Sequence, residues 1–554
     1  MAKLQRRNVL LLLAFFLLLG IAGLRALYLG TIHSAVLRSD AKREHETVEE
    51  VPAPRGTITD RSGVVLAVSE PADEVTVDPH LVKHPLAAAK QLAPLLGESV
   101  SQVLQTLSEQ SGFAYLARDM PAQRAARLAQ LQVPGIEEKP VMRRVYPRGT
   151  LAAQLVGMLG TEGTGLSGLE YSENGVLAGR AGERRVISDA LGQPVSIQTL
   201  RREVPGKQIA LTIDANIQHR AELVLGALGR VFHPKSATAI VLAPQTGSVL
   251  AMASWPPLNA NLAASASASQ LRNQAISYLY EPGSTFKIVT FSGSLEEGII
   301  TPTSTFNVPD QIELGGRIIH DDAPHPEELL TASQILARSS NVGTIKIALQ
   351  LGAQRFNSWL HRFGFGARTG IELPGEEVGE VLSPSEYSGS SMGNLPIGQG
   401  EAVTPIQIAT AYSVVANGGI FRRPHIIQSI GGRALPLPPG HRIISARTAA
   451  QVRTMMEGVL APGGTAYEVS IPGYKLAGKT GSSEKINPKT GEYSETQMVA
   501  SFVGFAPAAN PKLLAVVVAD EPQTGSVFGG TVAAPAVGQI LAFALPYLGI
   551  PPTG

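Results

Sequence analysis

The longest apolar run lies at the amino end, from Val9 to Leu24, with Lys3, Arg6 and Arg7 before it and Arg25 after it. A second short apolar stretch, Ala26 to Gly30, follows. As one helix, Asn8 to Gly30 extends roughly 34 Å, enough to cross a bilayer core with some tilt. Arg25 falls near the far end, where its long side chain can snorkel to the headgroups. The basic flank is expected to stay in the cytoplasm and the rest of the chain outside it. The run is long for a cleaved signal and no small-x-small site follows, so residues 1–30 are read as a tail and permanent single-pass anchor.

Beyond the anchor the pattern changes. Residues 31–54 are polar and charged and read as a juxtamembrane helix or linker. Alternation in Thr57–Thr59 and the apolar run Val64–Val68, around Asp60–Gly63, predicts a hairpin. Leu92, Leu95, Leu96, Val103, Leu104 and Leu107 give residues 85–131 a helical period. From Arg144 to Arg184, glycines and charged residues read as tight loops pinned by ion pairs. Together these make residues 31–205 a mixed, non-catalytic pedestal, with a domain change at Pro205–Gly206.

Residues 206–554 read as one α+β domain. Ala215–Leu228 has helical spacing, and Ala237–Ala243 and Ser248–Ser254 are strand-like around the turn Pro244–Gly247. Residues 284–460 are expected to be mostly helical, and Ala264–Ser269 a mobile loop. Tyr474–Lys479, Met498–Ala506 and Lys512–Ala519 are strand-like, the last two as an antiparallel pair. Strands at both ends with helices between predict an antiparallel sheet flanked by helices, closed by the first and last segments.

Composition narrows the chemistry. A chain of 554 residues is too long for a single core. Its formal net charge of +1, without a dense basic tract beyond the first residues, gives no sign of a nucleic-acid partner. The absence of cysteine removes disulfides, thiolate catalysis and iron–sulfur clusters. His320-Asp321-Asp322 with His325 resembles a metal cluster, but nothing converges the side chains, so a loop is expected and no metal or cofactor.

Three strings carry chemistry: Ser284-Thr285-Phe286-Lys287, Ser339-Ser340-Asn341 and Lys479-Thr480-Gly481-Ser482. Alone, each has a plain structural reading: a capping serine with a surface lysine, a helix cap, a strand end. All three in this order point to an active-site serine acyltransferase of the kind β-lactams inactivate. Ser284 follows a helix-start signal, so its hydroxyl meets the positive end of the helix dipole. Lys287 lies on the same face and serves as base once desolvation and a neighbouring cation lower its pKa. Ser339 is placed to relay a proton, and Asn341 to hold a substrate amide. Lys-Thr-Gly occurs again at Lys489-Thr490-Gly491, after Asn487-Pro488, and that copy reads as a hairpin turn. On an edge strand, Lys479 raises the local potential, Thr480 and Ser482 suit a carboxylate, and Gly481 admits a close backbone.

With these residues in place, the chain resembles class B penicillin-binding proteins, particularly the division-specific FtsI type. The resemblance runs over nearly the whole length: Arg55-Gly56-x-Ile58-x-Asp60-Arg61-x-Gly63, Arg144-x-Tyr146-Pro147, Gly165-x-x-Gly168-x-Glu170, Glu281-Pro282-Gly283-Ser284-Thr285, Ser339-Ser340-Asn341-Val342-Gly343, Gly398-Gln399-Gly400 with Thr404-Pro405, and Ala477-Gly478-Lys479-Thr480-Gly481. It implies a D,D-transpeptidase of the cytoplasmic membrane that cross-links peptidoglycan stem peptides ending in D-Ala-D-Ala, with β-lactams as inhibitors. It further implies the backbone amides of Ser284 and Ser482 as oxyanion donors, and an FtsW-type glycosyltransferase and other divisome membrane proteins as partners. Asn341 favours the septal type, since elongation relatives often carry Asp there. An elongation-type enzyme, a carboxypeptidase or β-lactamase, and an idle β-lactam sensor or scaffold are the rival readings.

Overall fold

The computed structural model describes residues 2–31, 46–189, 194–487 and 490–553. Its amino end is a single helix, α1 (Ala2–Thr31), whose apolar side chains are exposed from Val9 to Leu29 and whose mean hydropathy reaches 2.5 over Gln5–Thr31. A helix this apolar and this exposed satisfies its backbone internally but leaves its side chains for lipid. Residues 32–45 of the expected linker lie outside the described residues; Glu46–Val51, also expected there, is a strand.

The chain divides into two compact units. The smaller holds Met1–Pro54, Pro71–Arg143 and Gly179–Gly206. In it, Glu46–Val51 pairs antiparallel with Gly182–Ser188, which pairs with Pro194–Arg201. Glu183 and Arg184, read from the sequence as loop residues, sit in that middle strand, where Arg184 bonds Glu49 and Arg201 bonds Glu183 across the ladder. The helical reading of 85–131 holds for Pro85–Leu96, Val100–Leu107 and Ala122–Ala129 but is broken by the strand Ala114–Pro121. That strand buries Ala114, Leu116 and Met120 against Val75, Val77, Leu92, Val103 and Leu107, an alternation that a helical reading cannot supply.

The larger unit holds Arg55–Glu70, Arg144–Ala178 and Lys207–Gly554, so two segments assigned from sequence to the pedestal fold here instead. The hairpin forms as expected, with Ile58 opposite Ala67 and Thr59 opposite Val65. Asp60 is buried in its turn, accepts from Ser62 and Val64, and receives the Ala215 N–H at the start of helix α2 (Ala215–Phe232). Glu170, fully buried, takes Arg55 on one carboxylate oxygen (2.5 Å) and Arg144 on the other (2.7 Å).

The centre of this unit is a five-stranded antiparallel sheet of β1 (Ser236–Ala243), β2 (Ser248–Trp255), β3 (Ala477–Ile486), β4 (Tyr493–Ala506) and β5 (Leu513–Asp520). Its spatial order is β2-β1-β5-β4-β3, which puts β3 at one edge. Both faces are buried. Ala237, Ala239, Val241, Ala515, Val517 and Ala519 face α2 and the apolar helix α7 (Ala534–Tyr547), where small side chains let helices approach. Ile240, Leu242, Leu514, Val516 and Val518 face the larger cluster, which contains helices α3 (Lys287–Glu296), α4 (Ala332–Arg338), α5 (Asn341–Leu351) and α6 (Pro405–Ala416). The helical stretch Gly529–Tyr547, which ends in α7, is long and apolar enough to cross a membrane, but 61% of it is buried, as in a core helix.

Two expectations fail locally. The block 284–460 contains hairpins as well as helices, among them Gln311–Leu314 with Arg317–His320. Ala260–Ser265 and Ala268–Leu271 form short helical turns, the second capped by Gln270 on the Ser267 N–H, where a mobile loop was expected.

Candidate active site

The Ser284 turn is a short 3-10 segment, Gly283–Phe286, running directly into α3. It is tied on three sides: Gly283 N–H donates to Gly398 O (3.0 Å), Tyr412 OH on α6 donates to Thr285 O (2.7 Å), and Thr285 Oγ1 donates to Pro282 O (2.7 Å). The Gly398-Gln399-Gly400 string thus backs this turn, and the Gly400 N–H also bonds Glu281 Oε1. Ser284 itself is only half-buried, with its side chain at the start of a buried helix.

Lys287 is fully buried, and its ammonium donates to Ser339 O (2.5 Å), Asn341 Oδ1 (2.8 Å) and Ser339 Oγ (3.3 Å). Lys479 is 1% exposed, and its ammonium donates to the same Ser339 Oγ (2.8 Å) and to Thr480 O (3.1 Å). One hydroxyl therefore lies between two buried lysines that are 192 positions apart in the chain, 479 less 287. Burial pushes the Lys287 pKa down to about 8, against the pull of Asp322 and Asp321, which favour its charged form. Lys479 is pushed well down as well, by burial first and then by the neighbouring Lys287 charge.

Ser339 closes α4 with φ +63°, a left-handed conformation, and Ser340 caps α5 by accepting the Gly343 N–H. The helix cap expected of this string falls to Ser340, which leaves the Ser339 hydroxyl to the two lysines. Lys479-Thr480-Gly481-Ser482 lies inside β3, which begins at Ala477 and continues to Ile486, rather than at the end of a strand starting at Tyr474. Thr480 Oγ1 meets Thr465 Oγ1 at 2.7 Å, and Ser482 Oγ accepts the Gly529 N–H at 3.0 Å. A Cβ on Gly481 would lie 2.4 Å from Ser501 Oγ and 2.9 Å from Pro282 O. Glycine is required there because the Ser284 turn is packed against β3. The second Lys-Thr-Gly falls in the β3–β4 connection; Lys489 lies outside the described residues.

Sequence reasoning missed Asp321. Among the described residues no group of three or more His, Asp or Glu side chains could hold a metal. Asp321 instead accepts from Ser340 Oγ and from the backbone of Asn341 and Val342. A carboxylate 19 residues upstream of Ser340 was the available signal.

The model of the penicillin binding protein transpeptidase domain matches residues 237–542. The chain belongs to the class B penicillin-binding proteins of the FtsI type. A second family model, the penicillin-binding protein dimerisation domain, matches residues 50–211. Among this family, the chain is 34% identical to the penicillin-binding protein PbpB of Mycobacterium tuberculosis over 91% of its own length and 79% of that protein. It is 33% identical to the peptidoglycan D,D-transpeptidase FtsI of Escherichia coli over 98% of itself and 91% of that protein. A crystal structure of penicillin-binding protein 3 from Mycobacterium tuberculosis in complex with aztreonam superposes with a TM-score of 0.72 at 30% identity, covering 91% of this chain and 98% of that one.

Proposed function

We propose that this class B penicillin-binding protein is a serine D,D-transpeptidase that cross-links peptidoglycan stem peptides during septal wall synthesis. The observation that carries the reading is Ser339 Oγ between Lys287 and Lys479, beside the Ser284 turn. Ser284 Oγ attacks the carbonyl joining the two terminal D-Ala residues, and its proton passes to neutral Lys287. The C–N bond breaks as a proton, relayed through Ser339 with Lys479 assisting, reaches the departing D-Ala nitrogen. An amine from a second stem peptide then attacks the ester; the C–O bond breaks and Ser284 recovers its proton. Asn341 and Thr480 orient the peptide amide and carboxylate, Gly481 lets the Ser284 turn seat against β3, and the N–H groups of Ser284 and Ser482 hold the oxyanion.

On this reading α1 is a single-pass anchor in the cytoplasmic membrane, with the rest of the smaller unit as pedestal and the larger unit as the catalytic domain, both outside the cytoplasm. An FtsW-type glycosyltransferase and divisome membrane proteins are proposed partners by analogy with the family alone. Incubation with a stem peptide and an acceptor amine tests the reaction: a cross-linked product with release of D-Ala supports it, and water as the sole acceptor contradicts it. Depletion in cells tests the role, with filaments supporting septation and rounded cells contradicting it.

A further inference from the structure

We propose, resting on the transpeptidase reading, that Asp321 is a positioning residue whose carboxylate sets the Ser339-Ser340-Asn341 turn against Lys287. Its side chain is 8% exposed and all its partners point to one task. Oδ1 accepts the N–H groups of Asn341 (2.5 Å) and Val342 (2.9 Å); Oδ2 accepts Ser340 Oγ (2.7 Å) and meets His325 Nε2 (3.1 Å). Two otherwise orphaned donors at the start of α5 are thereby satisfied by a negative charge at the positive end of the helix. The adjoining His320 carbonyl accepts Asn341 Nδ2 (3.0 Å), which leaves Asn341 Oδ1 as the end that faces Lys287. Asp321 is itself anchored by its N–H on Asp310 O (2.9 Å).

The turn needs such a hold. Ser339 carries a left-handed backbone, which costs a non-glycine residue about 1–2 kcal/mol. Its carbonyl and hydroxyl are the groups Lys287 and Lys479 grip, so a small displacement separates both lysines from their shared relay. The charged groups facing Lys287 are Asp321 and Asp322 from the loop and Lys479 from β3; His325 faces Asp321 from the far side.

The test is the rate of acylation by a fluorescent penicillin across pH, on the full chain in detergent, for wild type, Asp321→Asn and Asp321→Ala. Asp321→Ala is expected to lose about a hundredfold at the plateau and Asp321→Asn less, since the amide keeps one acceptor oxygen. In both, the acid limb should also move to lower pH, because a negative charge that favours protonated Lys287 is gone. A purely structural role would lower the melting temperature and scale the profile without moving it. Rates within about threefold of wild type, or a lowered but unshifted profile, would overturn the proposal. If Asp321→Ala does not fold, Asp321→Asn decides by the same two criteria. A wild-type protein that takes no label would overturn both this proposal and the reading it rests on, whereas labelled wild type with unaffected variants removes Asp321 alone.

Discussion

At the scale of single residues, the decisive fact is that two lysines are buried with no carboxylate, among the described residues, in hydrogen-bonding contact with either ammonium; hydroxyl, carbonyl and amide oxygens take that place. Such an arrangement favours the neutral amine, which is what a base must be. With Lys287 lowered to about 8, the neutral fraction grows as pH rises through that value. Penicillin acylation should therefore climb between about pH 7 and 9 and then level off; a stopped-flow profile that is flat there would show that Lys287 is not the base. Replacing Lys287 with Met keeps the bulk and removes the amine, and should slow acylation by about 10²- to 10⁴-fold in the same assay. Gly481→Ala should also slow it, by displacing the Ser284 turn that its Cβ would strike, while drug affinity before acylation changes less. The three strings were legible in the sequence because their chemistry is carried by residue type. The contacts that Asp321, Tyr412 and Gly398 make were not, because each joins residues well separated along the chain through hydrogen bonds that no local pattern reveals.

At the scale of elements, legibility followed burial. β1 and β5 were readable because both faces are buried and the runs are continuously apolar. β3 was cut short in the sequence reading because Lys479–Glu484 is polar, and that polarity reflects an edge strand lining the site. The short hairpins within 284–460 have alternating, half-exposed strands of four residues, too brief to outweigh the helical stretches around them. The Arg55–Glu170–Arg144 triad was legible as charged residues near glycines but not as a buried pair of bonds to one carboxylate. Glu170→Ala leaves two guanidinium groups uncompensated and should cost about 3–5 kcal/mol in denaturant unfolding; a loss under about 1 kcal/mol would mean the triad is not structural.

At the scale of the whole molecule, a long exposed apolar helix precedes a unit whose sheet is fully covered by helices and whose site sits at the sheet's edge. Removing residues 1–31 should move the protein from the membrane to the soluble fraction on cell fractionation while leaving penicillin labelling intact, since Ser284, Lys287, Ser339 and Lys479 all belong to the larger unit. The claim on which all else depends is that the three strings form one centre with Ser284 as the acylated atom. Mass spectrometry of the full chain after benzylpenicillin treatment, followed by peptide mapping, tests it most directly. The account predicts one adduct, on the peptide bearing Ser284, absent from Ser284→Ala; an adduct on another serine, or none, would contradict it.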